Sequence, residues 1–142
     1  MNVSARNVFK GTITGLVNGA VNAEVELTTA NKDRLVAIVT EGSVKSLGLA
    51  VGKEAIGYVK APWVMILTGE QDVRFSARNQ LAGKVKKVEK GAINSEVSIE
   101  LPGGTVVYSV VTNQAVAELG LTVGASATAL IKASHIILGV PV

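Results

Sequence analysis

Apolar and polar residues alternate in short runs along this chain, which is the pattern of half-buried β-strands. Apolar side chains alternate with Asn and Glu over residues 21–27 and again over 93–99. Each of these runs follows a glycine, Gly19 or Gly91, and a glycine before a strand predicts a hairpin turn. Further strands are predicted over 9–14, 34–39, 54–60, 63–67 and 105–111.

The pattern changes between the third and fourth strands of each half. Residues 43–48 predict one or two helical turns, which start at Thr40 or Ser43 and end at Gly48. Five short strands with a small helix after the third is the element order of an OB-like barrel. We therefore predict an all-β protein of two tandem OB-like five-stranded barrels. An SH3-like barrel is the alternative.

The chain repeats itself at an offset of 72 residues. Ser-Ala-Arg-Asn starts at Ser4 and again at Ser76, and residues 4–67 share 21 identities with the 64 residues of 76–139. This predicts a first domain over 1–67, a polar connector over 68–75 and a second domain over 76–142. Units of this size bury little surface alone, so we expect burial between subunits as well.

Composition excludes several classes of protein. The 142 residues are 48% apolar and 18% charged, too apolar for a disordered chain. Mean hydropathy is +0.40, yet no apolar run approaches the roughly 20 residues of a membrane span. We therefore expect no membrane association. The first residues contain no apolar segment that would indicate a secretory signal.

The chain has few of the residue types that enzymes use as nucleophiles or zinc ligands. It has no cysteine and one histidine, His135, which excludes the usual nucleophilic triads and most zinc sites. We expect no enzyme activity, no cofactor and no metal held directly by side chains. No G-x-x-x-x-G-K loop is present, so a P-loop ATPase is excluded as well.

The polar residues that both repeats share are mostly hydrogen-bond donors. They are Ser4, Arg6, Asn7, Asn22, Glu24, Thr40 and Lys60, with Ser76, Arg78, Asn79, Asn94, Glu96, Thr112 and Lys132. Donors without a carboxylate base suit the binding of an anion, as does the net charge of +3. A capped helix start would add free backbone N–H groups.

A site that contains donors and no acceptor favours a fully deprotonated dianion as its ligand. Phosphate keeps a proton near pH 7 and needs an acceptor beside it, whereas molybdate, tungstate and sulfate do not. This expectation holds only if Glu24, Glu96 and Glu41 lie outside the binding pocket.

Four motifs in order, present in both repeats, resemble the molbindin (Mop) family, especially its free-standing two-domain members. They are Ser-Ala-Arg-Asn, Asn-x-Glu-Val, Leu-Gly-Leu-x-Val-Gly and the Lys-Ala segment. The resemblance implies an OB-like fold, cytoplasmic storage or buffering of molybdate or tungstate, and a homotrimer with sites between subunits. The anion-contacting positions that it implies are Ser4, Arg6, Asn7, Thr40, Ser43, Lys60, Ala61, Ser76, Arg78, Asn79, Thr112, Lys132, Ala133 and Ser134, with Asn22 and Asn94 for sites on the threefold axis.

The two repeats depart from each other at two of these positions. Ser43 corresponds to Ala115 and loses a hydroxyl, while Pro62 corresponds to Ser134 and gains one. A molybdate-sensing module that acts on a separate partner is the first alternative function. An OB-type nucleic-acid binder is the second, and we expect no nucleic-acid binding because aromatic side chains are few and none is repeated.

Overall fold

The computed structural model describes residues 2–69 and 72–142 and consists mostly of β-strands. In chain order the elements are β1 (Asn7–Asn18), β2 (Asn22–Thr29), β3 (Arg34–Thr40), α1 (Glu41–Leu47), β4 (Glu54–Val59), a 3-10 turn (Ala61–Trp63), β5 (Met65–Leu67), β6 (Asn79–Lys90), β7 (Asn94–Glu100), β8 (Val106–Thr112), α2 (Asn113–Leu119), β9 (Ser126–Ile131), a 3-10 turn (Ala133–His135) and β10 (Ile137–Gly139). The predicted fold class, with a short helix after the third strand of each repeat, is confirmed.

Each sheet takes its fifth strand from the other repeat. The first sheet has the order β10-β4-β1-β2-β3, and the second has the order β5-β9-β6-β7-β8. Ile137 of β10 lies opposite Tyr58 of β4, while Met65 of β5 lies opposite Leu130 of β9. The last strands of the two repeats are thus exchanged, and neither sheet is built from one repeat alone.

The exchange makes the two repeats share a hydrophobic core. Val25, Leu27 and Leu35 of the first repeat belong to the same buried cluster as Ile136 and Leu138 of the second. Burial of apolar surface is the main source of stability in small domains. Each repeat therefore stabilises the other.

Helix α1 has the predicted Thr40 and Gly48 at its two ends, and α2 is capped by the equivalent residues. The Thr40 side chain accepts a hydrogen bond from the backbone N–H of Ser43, and Thr112 caps α2 in the same way. Gly48 and Gly120 adopt the left-handed conformation just after the last helical turn, where glycine is favoured. These caps place Thr40 and Thr112 at the ends of β3 and β8.

The predicted domain bounds stay a prediction. Glu70 and Gln71 of the predicted connector lie outside the described residues. Across residues 2–69 and 72–142, no helix is long and apolar enough to cross a membrane.

Candidate functional site

The asparagines of the two Ser-Ala-Arg-Asn segments link the repeats. Asn7 is 1% exposed, and its side chain donates to Tyr108 O at 2.8 Å and accepts from Tyr108 N at 2.7 Å. Asn79 is 2% exposed and makes the same pair of bonds with Val36, at 2.8 and 2.7 Å. Each side-chain amide thus forms two hydrogen bonds with the backbone of a strand from the opposite repeat. This arrangement gives both residues a structural role, while their predicted part in ligand binding stays a prediction.

The arginines of the same segments form ion pairs across the repeats. Arg6 donates to Glu96 at 3.2 and 3.3 Å and its guanidinium lies 3.8 Å from the centre of the Tyr108 ring. Arg78 donates to Glu24. The hydrogen bond from Arg78 lowers the pKa of Glu24 and raises the pKa of the arginine. Hydrogen bonding to Glu96 likewise raises the pKa of Arg6.

Five of the predicted site residues of the second repeat line one cavity of about 360 Å³, which we call the Lys132 cavity. Its polar lining is Ser76, Arg78, Lys132 and Ser134. Its apolar lining comes from both repeats and consists of Ile38, Trp63, Met65, Phe75, Ala77, Leu130 and Ala133, with His135 beside them. No acidic residue lines it among those described, so an anion entering it would meet cationic and hydroxyl donors and no carboxylate of the described lining.

A second cavity of about 290 Å³, the Thr40 cavity, adjoins the first. Ser134 and Ile38 line both cavities. Thr40, Ser43 and Asn22 supply its other polar side chains, and its described lining contains no carboxylate. The start of α1 in the first repeat is therefore brought beside the Lys-Ala-Ser segment of the second.

The corresponding segments of the first repeat line a third cavity of about 380 Å³, which contains Ser4, Lys60 and Trp63. Trp63 also lines the Lys132 cavity, where its ring centre lies 5.0 Å from that of His135. The amine of Lys60 lies 6.0 Å from the Trp63 ring. The Trp63–His135 pair therefore stands between two cavities. The sequence signal for this pair is that the two residues are equivalent at the offset of 72.

Some predicted residues lie apart from these cavities. Arg6 lines a different cavity of about 300 Å³, together with Glu89, Glu96, Lys86 and Lys87. Asn94 and Thr112 lie in the second repeat at the positions equivalent to Asn22 and Thr40. Ala61 and Ala133 are buried at the starts of the two 3-10 turns, directly after Lys60 and Lys132.

The described residues contain no group of three His, Cys, Asp or Glu side chains that could hold a metal ion. Glu24, Glu96 and Glu41 are absent from the described linings of the Lys132 and Thr40 cavities. The condition on which the choice of a dianion depends is met for these two cavities. Glu24 still faces Arg78 from outside, so a bound anion would compete with this carboxylate for the guanidinium.

Comparison with known proteins identifies the repeats. The TOBE domain model matches residues 3–66 and 76–138. The solved structure of the cytoplasmic molybdate-binding protein ModG, with molybdate bound, is 57% identical, with a TM-score of 0.95 over 99% of this chain and 100% of that one.

Curated relatives are longer than this chain. "Molybdenum transport protein ModE" of Azotobacter vinelandii is 42% identical over 99% of this chain and 52% of its own length. "Molybdenum-pterin-binding protein MopA" of Rhodobacter capsulatus is 41% identical over 99% of this chain and 53% of its own length. The chain thus spans about half the length of these relatives.

Proposed function

The chain belongs to the TOBE domain family, with two copies of the domain, and on that premise we propose that it binds molybdate or tungstate reversibly and without catalysis. One observation carries the proposal. The lining of the adjoining Lys132 and Thr40 cavities contains two cationic groups, four hydroxyls and one amide, and no carboxylate among the described residues. These groups belong to Arg78 and Lys132, to Ser76, Ser134, Thr40 and Ser43, and to Asn22. The molybdate bound to ModG, 57% identical to this chain, supports the choice of ligand.

The binding mechanism follows from the charges and donors of these cavities. Arg78 and Lys132 offset the charge of the dianion, and charge-assisted hydrogen bonds are the stronger ones. Ser76, Ser134 and Thr40 replace part of the water shell of the anion. An unprotonated tetrahedral dianion satisfies such donors without offering a hydrogen, whereas phosphate near pH 7 carries a proton for which the described lining offers no carboxylate acceptor.

We propose further that the protein is a homotrimer that stores or buffers the oxyanion in the cytoplasm, with some sites completed between subunits. Large apolar side chains are exposed at equivalent places in the two repeats. Val21 is 72% and Ile93 76% exposed, and Met65 and Ile137 are each 63% exposed. Burial of these side chains between subunits would remove apolar surface from water, which favours association. The word cytoplasmic in the description of ModG supports the same location for this chain.

A second candidate function is sensing, with this chain as the ligand-binding portion that controls a partner. The observation that favours it is the length of the curated relatives, of which the chain spans about half. The remaining half leaves room for another activity. A pull-down with and without molybdate separates the candidates, because a sensor gains or loses a partner with the ligand and a store does not.

Replacing Lys132 by alanine tests the cavity directly. We expect molybdate affinity to fall about tenfold, since one charge-assisted hydrogen bond is worth about 1.5 kcal/mol. Lys10→Ala is the matched control, because Lys10 is an exposed lysine in a cavity that also contains Glu54. Calorimetric titration of both variants measures the effect. Equal affinities in the two variants would remove Lys132 from the site.

A further inference from the structure

The exchange of the last strands decides which side chains meet in each cavity. Ser134, in the 3-10 turn before β10, lines the Thr40 cavity of the first repeat. In the reciprocal arrangement the turn Ala61–Trp63 packs against β8, and the Ser109 hydroxyl donates to Val64 O at 2.5 Å. The 3-10 turn before each exchanged strand therefore packs against the third strand of the opposite repeat, which is the strand that leads into the helix.

This arrangement changes the consequence of the two sequence departures. Ser43 corresponds to Ala115, and Ser134 corresponds to Pro62. If each repeat formed its cavity alone, each would hold one of the two hydroxyls. The exchange instead puts Ser43 and Ser134 into the same cavity. It leaves the other half with Pro62 and Ala115, and neither side chain can donate a hydrogen bond.

The hydrogen-bond donors are accordingly unequal. The Thr40 cavity has the side chains of Asn22, Thr40, Ser43 and Ser134. At the equivalent positions of the other half only Asn94 and Thr112 are donors. The Thr40 and Ser43 hydroxyl oxygens are 2.9 Å apart, so one hydrogen of that pair stays free for a ligand whichever hydroxyl donates to the other.

The charges beside the two helix starts are opposite in sign. Glu41 follows Thr40, and the Asn18 amide, oriented so that both its atoms are satisfied, donates to the two Glu41 oxygens at 2.7 and 3.1 Å. The second repeat has Lys90 at the position of Asn18, and Asn113 at that of Glu41. Asn113 donates to Gly91 O at 2.9 Å. The first half thus adds a negative charge and the second a positive one.

We propose that the two halves form inequivalent oxyanion sites. The Thr40 cavity is the tighter site and depends on hydroxyl donors. The counterpart of this cavity around Thr112 is the weaker site and depends on charge. The inference rests on the proposed function. Attraction between exposed charges falls as salt rises, and hydrogen bonds to uncharged hydroxyls depend on salt much less. The weaker site should therefore also be the more salt-sensitive one.

The test is a calorimetric titration of the full chain with molybdate at low and high sodium chloride. We expect two affinity classes that differ by about tenfold or more, from the one or two additional hydrogen bonds of the first site. The double variant Ser43→Ala/Ser134→Ala should lower the tighter affinity until the classes approach each other. The reciprocal variant Pro62→Ser/Ala115→Ser should strengthen the weaker class and leave the tighter class unchanged.

The possible outcomes distinguish a failure of the proposed inequivalence from a failure of the proposed molybdate binding. Binding in a single class, or two classes that neither double variant moves, overturns the inequivalence while molybdate binding stands. The absence of any molybdate binding by the unmodified chain overturns the proposed function and the inequivalence together. A change in the weaker class after Ser43→Ala/Ser134→Ala, with the tighter class unmoved, reverses the assignment and also counts against the proposal.

Discussion

Replacing Asn79 by alanine is expected to lower the free energy of unfolding by about 3 kcal/mol, because buried polar groups lose their partners. The Asn79 side chain accepts from Val36 N at 2.7 Å and donates to Val36 O at 2.8 Å and to Ile131 O at 3.2 Å. The alanine variant leaves the two backbone groups of Val36 without these bonds, in a place that is 2% exposed. Because these bonds join the repeats, both halves should lose stability together.

Urea unfolding followed by circular dichroism measures this loss. Asn94→Ala is the matched control, because the Asn94 side chain is exposed, and its free energy of unfolding should change by less than about 0.5 kcal/mol. If Asn79→Ala unfolds at the same urea concentration as Asn94→Ala, the asparagine does not link the repeats as described.

Replacing Gly83 by alanine is expected to cost about 3 kcal/mol, at the upper end for overpacking. A Cβ atom on Gly83 would lie 2.3 Å from Glu100 O and 2.9 Å from its carbonyl carbon. Both are backbone atoms of the neighbouring strand β7, which must move to make room. Gly11, the equivalent glycine, would place its Cβ 2.3 Å from Thr28 O, so the same cost is expected there.

Gly42→Ala is the contrasting variant. Gly42 lies in α1, and the nearest atom to an added Cβ is Thr40 Oγ1 at 3.8 Å. Alanine is the better helix former, so this variant should gain roughly 0.5 to 1 kcal/mol. Thermal unfolding should give the highest Tm for Gly42→Ala, an intermediate Tm for the unmodified chain and the lowest Tm for Gly83→Ala. A Tm of Gly83→Ala equal to that of the unmodified chain would contradict the close approach of β6 and β7.

The repeat, the order of the elements along the chain and the caps of α1 could be predicted from the sequence because local signals specify them. Alternating apolar residues define β2 and β7, and Thr40 and Gly48 bound α1. The resemblance to the Mop family is confirmed by the relatives, among them MopA and ModG.

The exchange of β5 and β10 could not be predicted, because the two repeats offer nearly equivalent edges. Met65 and Ile137 occupy equivalent positions, and pairing either strand with β4 or β9 satisfies the same alternation. Three-dimensional context decides between them. As a result, the sequence could identify Ser43 and Ser134 as departures from the repeat but could not show that they share a cavity.

The roles of the Ser-Ala-Arg-Asn residues were also beyond the sequence. An asparagine buried against a strand and an asparagine facing a ligand have the same local pattern, and only the fold shows Asn7 held by Tyr108. The glutamates that pair with Arg6 and Arg78 are in the opposite repeats. By contrast, Lys132, Ser76 and Ser134 are brought into one cavity with Arg78.

Two lysines of the second repeat form ion pairs with glutamates on the exposed surface. Lys86 pairs with Glu100 at 3.3 Å, and Lys87 pairs with Glu89 at 3.9 Å. All four side chains are largely exposed. Exposed pairs of this kind contribute little to stability.

Calorimetric titration of the purified protein with molybdate, repeated in excess sulfate, tests whether the chain binds this oxyanion selectively. We expect binding that persists in sulfate, with a stoichiometry that reports whether sites are shared between subunits. The sites must first be shown empty by elemental analysis. If the protein, with its sites shown to be empty, releases no heat with molybdate and shows no change in Trp63 fluorescence, the proposed binding of molybdate is contradicted.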